Sequence, residues 1–147
     1  MSQPYNLNNY TCEESIGFLL KRLGSQLAIT LDRGLAEYDM THAQFGIFLK
    51  LFHGHADTAA DLARELMTDT GSMTRILDRL EEKEFLQRER SREDRRVVRI
   101  ELTDKGKQLA DKMKQVGVDT LNHHLRGFNE DEIAQLKDFL RRMIANS

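Results

Sequence analysis

The chain has 147 residues, 39% of them hydrophobic and 31% charged, with a formal net charge of −2. That is the size of one ordinary domain, and an overall acidic chain does not coat nucleic acid indiscriminately, so any such contact has to be local and salt-sensitive. No apolar run approaches the roughly 18 residues needed to cross a bilayer, no charged-then-apolar leader is visible, and a single cysteine excludes an internal disulfide framework, so a cytoplasmic protein is expected.

In chain order, Thr11 and Glu14 have the spacing of a capping box, and Ile16, Leu19, Leu20, Leu23, Leu27, Leu31, Leu35 and Tyr38 continue one apolar face. This predicts a long first helix over residues 11–38. Thr41 and Gln44 cap the next helix, whose Phe45, Ile47, Phe48, Leu49, Leu51 and Phe52 leave hardly any polar face and place it at the centre of the core. Thr58 and Asp61 open a third, short helix with Ala59, Leu62, Ala63 and Leu66 on its apolar side.

Only Thr68 and Asp69 separate it from a fourth helix, in which Met73, Ile76, Leu77 and Leu80 fall at i, i+3, i+4 and i+7. Two short helices joined this tightly suggest a helix-turn-helix, one crossing the DNA backbone and the other entering the groove. Asp69 is the expected N-cap. The outward face carries Gly71, Arg75, Asp78 and Glu82 flanked by Ser72, Thr74 and Arg79, so polar and basic groups gather in the N-terminal half and acids in the C-terminal half. A helix that enters the major groove by its N-terminus suits that order, which makes Thr70, Gly71, Ser72, Thr74, Arg75 and Arg79 the candidate groove-facing set. Taken alone, this helix fits an ordinary capped surface helix equally well.

After Phe85 the period changes to two: Val98, Ile100 and Leu102 alternate with Val97, Arg99 and Glu101. A hairpin follows, with 86–90 as its first strand and a polar loop from Ser91 to Arg96. Between Leu86 and Ile100 there are six arginines against Glu89, Glu93 and Asp94, a local excess of +3. The planar fork of arginine suits phosphate and the narrow minor groove better than an ammonium does. An arginine at the tip is the natural minor-groove probe; Arg95 and Arg96 stand there as candidate DNA-binding residues, and Asp94, two residues before Arg96, is close enough to hold its guanidinium extended. For Arg88 and Arg92 individually, a solvated charge is the plainer reading.

From Thr103 a long helix carries Leu109, Met113, Val116, Leu121 and Leu125, and Asn129 with Glu132 caps a last one bearing Ile133, Leu136, Leu140 and Met143. These stripes exceed what the small winged core can cover. An isologous homodimer explains them, with residues 11–38 and 103–147 as dimerisation helices around a winged helix-turn-helix at 41–102. The expected fold is therefore mainly α with a small β-wing.

The run TRILDRLEEKEF, the D-R-R of Asp94, Arg95 and Arg96, and the L-T-D-K-G of residues 102–106 resemble the MarR family of multiple-antibiotic-resistance-type regulators over nearly the full length. The resemblance implies a homodimer on a pseudo-palindromic operator, reading helices in successive major grooves, Arg96 in a flanking minor groove, and release of a repressor by a small ligand or oxidant. Such ligands are often aromatic carboxylates or phenols, and a pocket beside Arg22 and His42 is the expected place. Glu84 departs from the pattern, which usually has a glycine where the helix ends.

Other candidate chemistry is thinner. Cys12 would be the first residue of a helix starting after Thr11, where the dipole favours a reactive thiol, but Glu13 and Glu14 oppose it. The family branch that senses peroxides has its cysteine directly before a motif like Phe18, Leu19 and Leu20, and here that position is Gly17. His53 and His55, with Asp57 nearby, fall short of the roughly four ligands zinc wants. His123 and His124 diverge by about 100° on a helix. With no phosphate loop, nucleophile motif or paired catalytic carboxylates, an enzyme is not expected, and neither is a cofactor or metal. The expected function is a ligand-responsive, DNA-binding regulator of transcription. The alternatives are a winged-helix interaction module that reads no DNA and a thiol-based sensor acting through Cys12.

Overall fold

A computed structural model describes residues 3–147 of the chain. The elements run α1 (Ile16–Leu35), a single 3-10 turn (Ala36–Tyr38), α2 (His42–Phe52), α3 (Ala59–Glu65), α4 (Thr70–Glu82), β1 (Leu86–Arg90), β2 (Val98–Leu102), α5 (Asp104–His124) and α6 (Glu130–Ala145). The two strands pair antiparallel, Leu86 opposite Leu102 and Arg90 opposite Val98. Six helices and a two-stranded wing thus stand where periodicity placed them.

The core is built from Leu35 of α1, Ile47 and Phe48 of α2, Leu62 of α3, Met73, Leu77 and Leu80 of α4, Leu86 and Ile100 of the wing, and Met113 of α5. Each of these is at most 3% exposed, so α2 does lie at the centre, although its Phe45, Leu49, Leu51 and Phe52 are only half-buried. Phe48 meets Phe85 edge to face, with ring centroids 5.8 Å apart. That contact ties the central helix to the root of the wing.

Two helix starts depart from expectation. Thr11 does not cap α1; Ser15 does, accepting from the Phe18 amide at 3.2 Å while its own hydroxyl donates to the Cys12 carbonyl at 2.9 Å. Residues 12–15 thereby close a turn whose polar groups are satisfied without helix, which is how serine competes with helical structure. The Tyr5 hydroxyl takes the free Ile16 amide at 3.0 Å. Cys12 consequently sits exposed in that turn rather than in a first helical turn. At α3, Thr58 caps as expected, but Asp61 does not complete the box and instead pairs with Arg64 at 2.6 Å. The boxes at Thr41–Gln44 and Asn129–Glu132 are both complete.

The L-T-D-K-G segment locks the wing to α5. Thr103 caps α5, its hydroxyl accepts from the Gly106 amide at 3.1 Å and donates to the Glu84 carbonyl at 2.7 Å, and Lys105 reaches the Lys83 carbonyl at 3.0 Å. A Cβ on Gly106 would collide with the Phe85 carbonyl, so only glycine allows this approach. Glu84 itself is in the left-handed region at φ 64°, the conformation that favours glycine, which explains the usual residue at that place.

By contrast, α6 buries none of its residues. Leu136, Phe139, Met143 and Ile144 on α6, Val118 and Leu121 on α5, and Ile16, Leu19, Leu20 and Leu23 on α1 all remain exposed. Among the described residues, no helix is long and apolar enough to cross a membrane.

Candidate nucleic-acid interface

The reading helix is fixed from behind and open in front. Met73, Leu77 and Leu80 anchor α4 in the core, leaving Thr70, Gly71, Thr74, Arg75 and Arg79 exposed and Ser72 half-buried. Asp69 caps it: Oδ1 accepts from the Ser72 amide at 2.8 Å and Oδ2 accepts from the Ser72 hydroxyl at 2.6 Å. These two bonds, the hydroxyl's first, hold the Asp69 carboxyl below the usual carboxylate range. The Thr74 hydroxyl donates to the Thr70 carbonyl at 2.9 Å. The Ser72 and Thr74 hydroxyls therefore already donate within the capped helix, and what they offer outward is lone pairs. Arg75, 3.4 Å from the Ser72 hydroxyl, and Arg79 are the donors of this face.

At the wing tip, Asp94 supports Arg96 differently from expectation. Its Oδ1 accepts the Arg96 backbone amide at 3.0 Å, an Asx-turn, and no contact with the guanidinium accompanies it. The loop is closed by the Ser91 amide donating to the Val97 carbonyl at 2.9 Å, and Arg90 reaches across it to the Arg95 carbonyl at 3.0 Å. Arg92, Arg95 and Arg96 are exposed, and among the described residues none of them has an ion pair.

Arginines nearer the wing's base behave otherwise. Arg88 is 2.7 Å from Asp78 and 3.6 Å from Glu81 of α4, so it is a paired side chain rather than the solvated one expected. Arg99 pairs with Asp57 at 2.7 Å, and the Asp57 carbonyl accepts the Ile100 amide at 2.6 Å. Sequence reading missed these links because each joins residues from different elements, and no local spacing marks them. The pairing also removes Asp57 from the histidines near it; His53 and His55 stack in solvent with ring centroids 5.8 Å apart.

The expected ligand residues separate. His42 lines a cleft of about 480 Å³ between α1, α2 and α5, walled by Leu27, Leu31, Phe45, Leu49 and Val118, whereas Arg22 is not among its lining residues. The cation present there is Lys114, which lacked any sequence signal beyond its place on the long helix. Asp32 orients His42, accepting its backbone amide at 2.6 Å and facing Nδ1 at 3.0 Å.

A core-anchored reading helix beside a basic wing defines a winged helix-turn-helix of the kind that binds DNA. Residues 31–113 match the family model described as transcriptional regulator SarA/Rot. The multiple antibiotic resistance protein MarR of Escherichia coli is 28% identical over 88% of this chain and 90% of its own length. The regulator SarZ of Staphylococcus haemolyticus is 26% identical over 96% of this chain and 91% of its own. The crystal structure of a cysteine-to-serine mutant of the E. coli MarR complexed with operator DNA superposes with a TM-score of 0.79 at 29% identity, covering 92% of this chain and 99% of that one. The chain belongs to this SarA/Rot and MarR family of winged-helix transcriptional regulators, and it is a DNA-binding regulator rather than an enzyme.

Proposed function

We propose that the chain acts as a homodimeric repressor that holds a pseudo-palindromic operator and lets go when a small anionic aromatic ligand enters the cleft at His42. The observation that carries the DNA half is the division of the wing's arginines: those at its base are paired with carboxylates, and those at its tip have no ion pair among the described residues. Unpaired, exposed guanidinium groups on a projecting hairpin match the negative potential of a minor groove. In the adjacent major groove, Arg75 and Arg79 would donate to guanine, while the lone pairs of Ser72 and Thr74 suit the amino groups of adenine or cytosine. Thr70 and Gly71, at the N-terminus of α4, let the helix end approach a phosphate. Asp94 and Arg95 complete the tip, the first by shaping the turn and the second by its charge.

The dimer rests on the apolar faces that α1, α5 and α6 leave uncovered. Residues 11–38 and 103–147 would form its interface and 41–102 the reading unit, two of which then stand about 34 Å apart, one DNA turn. The cleft has the size of a small-molecule site, apolar walls, and Lys114 to meet a carboxylate. Since α1 and α5 would belong to the dimer and α2 to the reading unit, a ligand wedged among them changes the spacing of the two reading helices. It releases DNA to the extent that it binds the released form more tightly.

The test is a titration of a duplex from the chain's own promoter. Arg96→Ala is expected to weaken binding and lower the slope of log affinity against log salt by about one phosphate equivalent. Unchanged affinity at low and high salt would instead favour a module that reads no DNA. Salicylate-like probes should displace the protein, and Lys114→Ala should raise the concentration required about three- to tenfold. An equal response of wild type and variant would remove Lys114 from the site.

A further inference from the structure

Every wing with a free basic tip needs something that fixes where the tip points. Here β1 begins four residues after α4 ends, through Glu84 in a left-handed conformation, and the wing's root is held by Phe85 on α2 and by Thr103 at the start of α5, which leaves the strand beyond that root without a tie to the reading helix from these links. Arg88 closes that gap. Its guanidinium lies 2.7 Å from Asp78 and 3.6 Å from Glu81, and Glu81 also accepts the Arg88 backbone amide through Oε2 at 3.1 Å. The Arg88 side chain is 25% exposed, the most enclosed of the arginines in ion pairs. Both the backbone and the side chain of one strand residue are thus held by two carboxylates one helical turn apart on the reading helix.

We infer that Arg88, Asp78 and Glu81 form a positioning device that sets the angle between the reading helix and the wing, so that major-groove and minor-groove contacts are made together. These acids at the C-terminal half of α4 are then not a feature that DNA merely tolerates. A lever estimate shows why the angle matters. The tip lies roughly 15 Å beyond Arg88 along the hairpin, and a swing of about 20° would carry it about 5 Å. A minor groove is only about 6 Å wide, so such a swing takes the tip arginines out of it.

This inference rests on the reading of the tip as a minor-groove probe, and its test separates the two. If Asp78 only faced DNA, Asp78→Asn would remove a repulsive charge and tighten binding. If Arg88 touched phosphate, Arg88→Ala would lower the salt slope by about 0.9. The positioning role predicts instead that Asp78→Asn, which removes no cation, weakens binding and lowers the slope. Operator affinity is measured by fluorescence anisotropy over a salt series for wild type, Arg88→Ala, Arg88→Lys, Asp78→Asn, the Arg88→Ala/Asp78→Asn pair, and Arg96→Ala. Arg88→Ala and Asp78→Asn should each weaken binding about three- to tenfold and lower the slope toward that of Arg96→Ala, because the tip leaves the groove in both, and the pair should be no weaker than either single variant. Arg88→Lys, which keeps the charge but not the fork, should recover part of the loss. Asp78 is exposed, so Asp78→Asn carries the test even if Arg88→Ala fails to fold. Tighter binding or an unchanged slope in Asp78→Asn overturns the positioning role while leaving the tip intact. An Arg96→Ala variant indistinguishable from wild type overturns the reading of the tip itself.

Discussion

Asp69 is the residue on which the reading helix depends, and the sequence alone made it legible: an aspartate just ahead of an apolar stripe is a cap by its chemistry. Replacing it with alanine should cost about 1 kcal/mol, read as a lower urea midpoint at unchanged slope. The carboxyls of Asp61, Glu65 and Asp69 are all held low in the fold, by the hydrogen bond from Arg64, by that from Lys50 and by the Ser72 hydroxyl respectively. A depressed folded value means that the stabilisation is complete above the unfolded value and is lost as pH falls through the folded one. The urea midpoint should therefore hold at neutral pH and decline below about pH 4, with less decline in Asp69→Ala. Asp94 shows what sequence cannot supply. A spacing of two serves a backbone turn as well as a side-chain pair, and the backbone amide won because its position is fixed while the guanidinium must give up rotamer freedom to be held.

Elements were read more securely than their ends. The stripe of Met73, Leu77 and Leu80 and the alternation through Ile100 and Leu102 are imposed by burial on one side, and burial is what the structure shows for each. The start of α1 was misplaced from Ser15 to Thr11 because two capping residues lay within four positions, and the winner was decided by the Cys12 carbonyl and by Tyr5, ten residues upstream of Ser15. The junction of wing and α5 is the tightest point between elements. Gly106→Ala should destabilise the protein by about 1–3 kcal/mol, since the obstacle is the Phe85 backbone rather than a side chain that can turn away. Glu84→Gly should act oppositely, relieving the left-handed conformation by at most about 1 kcal/mol after the greater freedom of the unfolded chain is counted. Equilibrium urea unfolding of both variants reads the two signs directly.

At the scale of the whole molecule, the winged unit was legible because its signals are local, whereas the cleft was legible only at His42, because Lys114 joins it through the packing of α2 on α5. The uncovered faces of α1, α5 and α6 were foreshadowed by the excess of apolar stripes, and the proposed dimer is built on them. Phe139 is 47% exposed on α6. Phe139→Glu should yield monomers by sedimentation and lower operator affinity about 100-fold or more, because each reading unit then binds without its tethered twin.

The most direct measurement is sedimentation of the purified chain with a labelled duplex from its own promoter, run beside a scrambled duplex of equal length. A dimeric, sequence-reading regulator places two chains on each promoter duplex and, under the same salt, shows at least about a thousandfold preference over the scrambled one. A single chain that binds both duplexes alike would contradict it.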